Sequence, residues 1–138
     1  MSGSSDNAVY ESETEGVLVR VRPRFLDDQS EPTANRYIWA YDVEIENRSD
    51  RTLTLTTRHW RIVDSKGHAQ HVDGEGVVGQ TPRLAPGEAF QYTSGAPLAA
   101  PSGFMSGSYD FLDDTGALLS VAIPAFSLDS PFERSRPS

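Results

Sequence analysis

The chain has 138 residues and no cysteine, and its 20 acidic side chains against 12 basic ones give a formal charge of −8. That length fits one domain. The missing cysteines exclude disulfide frameworks, thiolate metal ligands and cysteine nucleophiles, and the acidic balance argues against nucleic acid or an anionic membrane as a partner, because both select a basic footprint.

Residues 1–15 (MSGSSDNAVYESETE) are rich in serine and acid and hold Asp6, Glu11, Glu13 and Glu15, half of the net charge. With so little to bury, they are expected to form a disordered tail. The same holds for residues 129–138 (DSPFERSRPS). The domain is therefore expected over 16–128, with 14 acids against 10 bases. No basic segment followed by an apolar stretch opens the chain, and no apolar run approaches the ~20 residues that cross a bilayer. A cytoplasmic protein without membrane insertion is the expectation.

GVLVRVRPRFL (16–26) alternates, with Val17, Val19 and Val21 on one face and Arg20 and Arg22 on the other. RYIWAYDVEIEN (36–47) is the clearest strand: Tyr37, Trp39, Tyr41, Val43 and Ile45 share one face, Asp42, Glu44 and Glu46 the opposite one. After the turn cluster NRSD (47–50), RTLTLTTRHWRIVD (51–64) changes parity. Leu53 and Leu55 are odd and Trp60 and Ile62 even, so a bulge around Thr57–His59 is expected to return both pairs to one core. DSKG (64–67) predicts a hairpin turn into HAQHVD, and Pro86-Gly87 in LAPGEAFQYTSG (84–95) suits a type II turn. GFMSGSYDFLDD (103–114), the turn DDTG (113–116) and ALLSVAIPAFSL (117–128) read as a closing hairpin. No stretch sustains a 3.6-residue period, and no internal repeat is visible. Seven or more short antiparallel strands with turn signals predict an all-β sandwich of immunoglobulin-like or fibronectin-III-like type.

DGEGVVGQ (73–80) spells G-x-G-x-x-G with Gly74, Gly76 and Gly79. A dinucleotide turn needs a helix opening from the motif and an acid about twenty residues on. TPRLAPGE (81–88) follows instead, with two prolines that forbid a continuous helix. Ser94 stands twenty residues after Gly74 with no acid beside it, so the dinucleotide reading fails. Consecutive N–H groups of a glycine loop can still form a nest for phosphate or pyrophosphate. Asp73 and Glu75 would oppose such an anion, and Arg58, Arg61 or Arg83 would have to fold near it. The favoured alternative is architectural: the glycines supply positive φ for a crossover loop, and Val77 and Val78 pin it by burial.

His68, His71, Asp73 and Glu75 form a second candidate, for a divalent metal. In an extended segment 71, 73 and 75 share a face while 68 points away, so a solvated hairpin edge is the favoured reading. His59 has no serine in a nucleophile motif to serve, and the pairs Asp27-Asp28 and Asp113-Asp114 lie in predicted turns. Tyr92-Thr93-Ser94-Gly95 leads into a loop that would make a binding rim. No catalytic motif and no cofactor is indicated.

RYIWAYDVEIEN, RHWRIVDSKG, VDGEGVVGQTPRLAPGEAFQYTSG, GFMSGSYDF and IPAFSL together resemble the bacterial ApaG family, also called CorD, over residues 16–128; the most specific stretch is 74–95. The resemblance implies an immunoglobulin-like or fibronectin-III-like sandwich. It also implies an association with cobalt and magnesium efflux or resistance, and a nucleotide or pyrophosphate hypothesis for the glycine motif. Similar domains in eukaryotic F-box proteins and in a protein that interacts with a DNA polymerase imply protein–protein interaction. Family members often end in a histidine-containing tail, whereas this chain ends PFERSRPS. The resulting expectation is a non-enzymatic module that binds a protein partner, with phosphate binding at 74–79 and a divalent-metal accessory role as alternatives.

Overall fold

A computed structural model describes residues 8–132. It contains nine strands: Tyr10–Thr14 (β1), Val17–Phe25 (β2), Tyr37–Asn47 (β3), Leu53–Asp64 (β4), Ala69–Glu75 (β5), Arg83–Leu84 (β6), Ala89–Leu98 (β7), Gly103–Asp113 (β8) and Leu118–Leu128 (β9). Two single 3-10 turns, Asp27–Gln29 and Pro32–Ala34, join β2 to β3. One sheet has the order β1-β2-β3-β7 and the other β5-β4-β8-β9, with β6 also on β4. Every pairing is antiparallel. The chain folds as the two-sheet sandwich that its alternation predicts.

The inward faces match the period-2 pattern. Val17, Val19 and Val21 from β2 and Trp39, Tyr41, Val43 and Ile45 from β3 meet Leu53, Leu55, Trp60 and Ile62 from β4 in one core. Rings lock the sheets together: Trp60 packs edge-on against Tyr41 at 5.4 Å and against Phe126 at 6.0 Å. On the outer face of the first sheet Arg20 bridges Glu11 at 2.7 Å and Glu44 at 2.9 Å. Pro124 lies where the β8–β9 register shifts, a position a ladder tolerates because no N–H is demanded of it.

One buried polar residue fixes a corner. Asn47 is 0 % exposed, and its Nδ2 donates to the carbonyls of Arg51 (2.7 Å) and Leu84 (2.9 Å). Its Oδ1 accepts from Ser49 N (3.0 Å) and Ser49 Oγ (2.6 Å). All four side-chain positions are used, as burial requires, and they tie the end of β3 to the turn before β4 and to β6, while the Asn47 main chain bonds Glu88 O and Gly87 N ahead of β7.

The termini depart from expectation. Residues 10–14, placed in the disordered tail, form β1 on β2. Glu15 (φ 46) and Gly16 (φ 88) make the two-residue turn between them. The stabilisation comes from outside the segment. Ser12 Oγ donates to Ala122 O (3.0 Å), Ala122 N donates to Thr14 Oγ1 (3.2 Å), and Tyr10 packs on Phe126 at 6.0 Å. The hydroxyls of β1 thereby occupy the free edge of β9 and seal that seam of the sandwich. Likewise Asp129, assigned to the C-terminal tail, accepts the indole N–H of Trp39 on its main-chain carbonyl (2.8 Å), and Phe132 packs edge-on against Phe25. Residues 1–7 and 133–138 of the two expected tails lie outside the described residues.

Because Tyr10 is part of the sealed seam, Tyr10→Ala is expected to cost about 2 kcal/mol in urea unfolding. A tail residue would stay within about 0.5 kcal/mol.

Candidate functional site

The site begins with one extra residue in β4. Leu55 pairs with Phe111 and Thr57 with Asp110, which leaves Thr56 unpaired as a bulge. The shift falls one residue before the stretch expected from sequence. Odd residues point inward before it and even ones after, so Arg58 faces the core beside Trp60 and Ile62, while His59 and Arg61 face outward. The bulge is held by Thr56 Oγ1 donating to Asp110 O (3.1 Å) and by Gly76 N donating to Thr56 O (2.7 Å).

Arg58 lies across its register partner Gly74. Its Nη1 donates to the carbonyls of Glu75 (3.0 Å) and Gly76 (2.8 Å), and it has no carboxylate partner within 4.0 Å among the described residues. Across it stand Tyr92 and Tyr109, their hydroxyls 2.5 Å apart, and Tyr41, bonded to Ser94. Burial pushes all three phenols up, most of all Tyr109. They stay neutral at physiological pH, so no phenolate offsets the guanidinium charge.

Each glycine of the motif has a geometric reason. A Cβ on Gly74 would sit 2.8 Å from Arg58 Nη1, so only glycine lets the guanidinium lie flat on the strand. Gly76 has φ 66, and a Cβ there would overlap the carbonyl oxygen of Gln80. Val77 and Gln80 exchange both main-chain hydrogen bonds at 2.8 Å, with Val78 (φ 43) and Gly79 (φ 79) at the corners of a type I′ turn. Val77 is buried at 1 % exposure, as expected of the pin, but Val78 is 51 % exposed. The valine pair does not act together, because the turn puts its second member at the tip. A β-branched residue with positive φ is strained, and this one is also apolar and in water.

Arg58 and the glycine loop form one end of a cleft of about 550 Å³. Its floor is Trp60, Ile62 and Met105, and its rims are Gln70 and Val72 of β5 and Ser94 to Pro97 of β7. Both rims are outer strands of their sheets. A second hollow lies over Arg20, Arg22, Asp42 and Glu44; there Arg20 pairs with Glu44, and Asp42 pairs with Arg24 beside it.

The remaining candidates do not converge. Arg83, expected near the glycine loop, pairs with Asp114 at 3.0 Å instead. Leu84 turns into the core beside Leu53, and that places Arg83 on the outer surface. His68 bonds Asp64 across the hairpin turn (3.3 Å), His71 stands opposite Arg61, and Asp73 bonds His59. Glu75 offers its carbonyl to Arg58. No group of three His, Cys, Asp or Glu side chains suited to a metal exists among the described residues.

Sequence reasoning missed the use made of His59. Its Nδ1 is 2.7 Å from Asp73 and its Nε2 2.7 Å from Asp110, which also accepts from Thr57 Oγ1 at 2.6 Å. The cluster straps β5 and β8 to β4. Hydrogen bonds to Asp73 first and then to Asp110 raise the His59 pKa above the ordinary imidazole value, and those that Asp110 accepts from Thr57 and then His59 lower its own. No local signal announces it, because Asp110 is 51 residues away.

An ApaG domain model matches residues 27–113 of this chain. The chain belongs to the ApaG family. It is 53 % identical over 130 residues to Protein ApaG of Rhodospirillum centenum, covering 94 % of this chain and 100 % of that one. It is 51 % identical over 128 residues to Protein ApaG of Paramagnetospirillum magneticum, covering 93 % and 98 %. A crystal structure of an ApaA protein from Bordetella pertussis superposes with a TM-score of 0.81 at 43 % identity, covering 85 % of this chain and 95 % of that one. The cleft and glycine loop reach from β4 to β8 and so lie inside the matched ApaG domain. No helix among the described residues is long and apolar enough to cross a membrane.

The loop geometry ranks its variants. In urea unfolding Gly76→Ala is expected to cost about 3 kcal/mol, from overlap and positive φ together, and Gly79→Ala about 1 kcal/mol from φ alone. Val78→Asn is expected to gain about 0.5 kcal/mol by relieving the turn. The raised His59 pKa sets a second expectation: its stabilisation is complete below about pH 6.5 and is lost as pH rises through the folded value. The unfolding free energies of the wild type and His59→Gln should therefore converge as pH rises through that folded value, by less than about 1 kcal/mol because the cluster is solvent-screened.

Proposed function

We propose that this ApaG-family chain is a non-enzymatic, cytoplasmic binding module that docks an extended segment of a protein partner in the cleft between β5 and β7. The observation that supports it is an asymmetry of the two seams. At β1 and β9 the outer strands are sealed by side-chain hydrogen bonds, whereas β5 and β7 stand apart over an apolar floor. Native sheets protect their outer strands with charge, proline or cover, yet β7 (AFQYTSGAPL) carries no charge and only Pro97 near its end. An uncharged free strand beside an apolar cleft is the arrangement that strand-adding partners use. A non-catalytic role is favoured by His59, both of whose ring nitrogens are engaged by carboxylates, and by the neutral tyrosines.

A phosphate-binding reading draws on the same guanidinium, whose Nε and Nη2 have no hydrogen-bond partner among the described residues. Pyrophosphate at millimolar concentration would then shift the amides of 74–79 selectively. A cobalt or magnesium role has no convergent donor set to support it among the described residues.

The cysteine-free chain allows single-site photo-crosslinkers in cells. Probes at Val72 and Val78 are expected to trap the same protein and a probe at Leu118, on a different exposed face, to miss it. Equal yields from all three sites, or none from the cleft sites, overturn the proposal.

A further inference from the structure

The sandwich lacks a strand over β5. Residues 69–73 of β5 are all exposed, the inward-facing Val72 included at 38 %. The first sheet stops short of it, since Tyr92 of its last strand reaches Tyr109 of β8 instead. A strand added to the free side of β7 would extend the first sheet over Gln70, Val72 and Gly74 and close the cleft. β7 is the better template of the two rims, because β5 carries His71, Asp73 and Glu75.

Building on the docking reading above, we infer that the missing strand comes from a protein partner, runs along β7 beside Tyr92 to Ala96, and places an aspartate or glutamate side chain on Arg58. Charge complementarity carries the choice. Among the described residues Arg58 is the one cation lining the cleft. Nη1 is consumed by the two loop carbonyls, which leaves the Nε–Nη2 side of the fork for a bidentate carboxylate. The glycine loop therefore acts on an anion indirectly: its carbonyls and the bare Gly74 hold an arginine in place.

Distance selects a side chain over a chain terminus. Facing sheets stand about 10 Å apart, so the main chain of a strand in the plane of β7 cannot touch a guanidinium lying on β5. One side chain must reach across. Side chains alternate along a strand, so apolar residues two and four positions from the acid fall over Val72, Ile62 and Met105. The strained, exposed Val78 sits at the rim and gains cover in the same step. Pro97 offers no N–H and marks the limit of pairing.

The test uses the full chain and a phage library of random twelve-residue peptides displayed internally, so that neither peptide end is free. Selected peptides are synthesised with both ends capped. Expected are an Asp or Glu with apolar residues at spacings of two and four, and amide-exchange protection at Thr93 and Gly95, the residues of that stretch whose N–H groups face away from β3. Binding should weaken about tenfold on peptide Glu→Gln (or Asp→Asn) and on protein Arg58→Met, with no further loss when both are changed. The peptide substitution leaves the protein untouched, so a misfolded Arg58→Met variant would not obscure the result. Cleft binders that carry no acid, that ignore the amide substitution, or that bind more tightly with an uncapped C-terminus overturn this inference while sparing the docking reading. A library from which nothing binds the cleft overturns both.

Discussion

Thr56 is the residue on which the arrangement turns. A strand of alternating side chains has one inward face, and β4 needs two: Leu53 and Leu55 before the bulge, Trp60 and Ile62 after it. Without the extra residue, His59 and Arg61 would face the core and Trp60 would face water. Burying unpaired charges of that kind costs several kcal/mol each, so the sequence of β4 tolerates only the bulged register. The bulge also creates two polar features beside the cleft. It turns Arg58 inward to the cleft and His59 outward to Asp73 and Asp110, and its own carbonyl anchors Gly76 at the head of the glycine loop.

The glycine motif gains a different meaning from this geometry. In a nucleotide fold the three glycines bring main-chain N–H groups to a phosphate at a helix terminus. Here Gly76 N and Val77 N are spent on Thr56 O and Gln80 O, and it is the carbonyls of Glu75 and Gly76 that face a side chain. The spelling is shared, but the polarity is reversed: the loop grips a cation. That cation has neutral phenols and apolar side chains around it, in surroundings where its charge is less screened than at an open surface.

Much of this was legible before the structure. Alternation in β2 and β3 declared which side chains make the core, and the parity change between Leu55 and Trp60 announced a bulge. What stayed hidden depends on partners far along the chain. β1 looks like a tail because its own residues bury little; its stability comes from β2 and from Ala122 on β9. Arg83 is one of three arginines that the sequence offers to the glycine loop, but the burial of Leu84 decides its direction. Val78 reads as a pin because valine is apolar, but turn handedness outranks hydrophobicity at a corner. The inward direction of Arg58 was within reach, since a bulge that turns Trp60 inward turns residue 58 inward as well.

The two seams of the sandwich show how one architecture provides both stability and an interface. Along β1 and β9, short hydroxyl side chains satisfy a free strand and Tyr10 covers Phe126, so that seam is complete without a partner. Along β5 and β7 the same satisfaction is withheld, yet the seam is not loose. Asn47 pins the corner from which β7 departs, the His59 cluster straps β5 to β4, and Arg58 braces the loop between them. A cleft held from three sides loses little freedom when it is filled, and that lowers the ordering cost which otherwise erodes affinity. The strain at Val78 and the exposed apolar surface at Val72 are the corresponding costs in the unfilled state, and both lie on the surface that an added strand would cover.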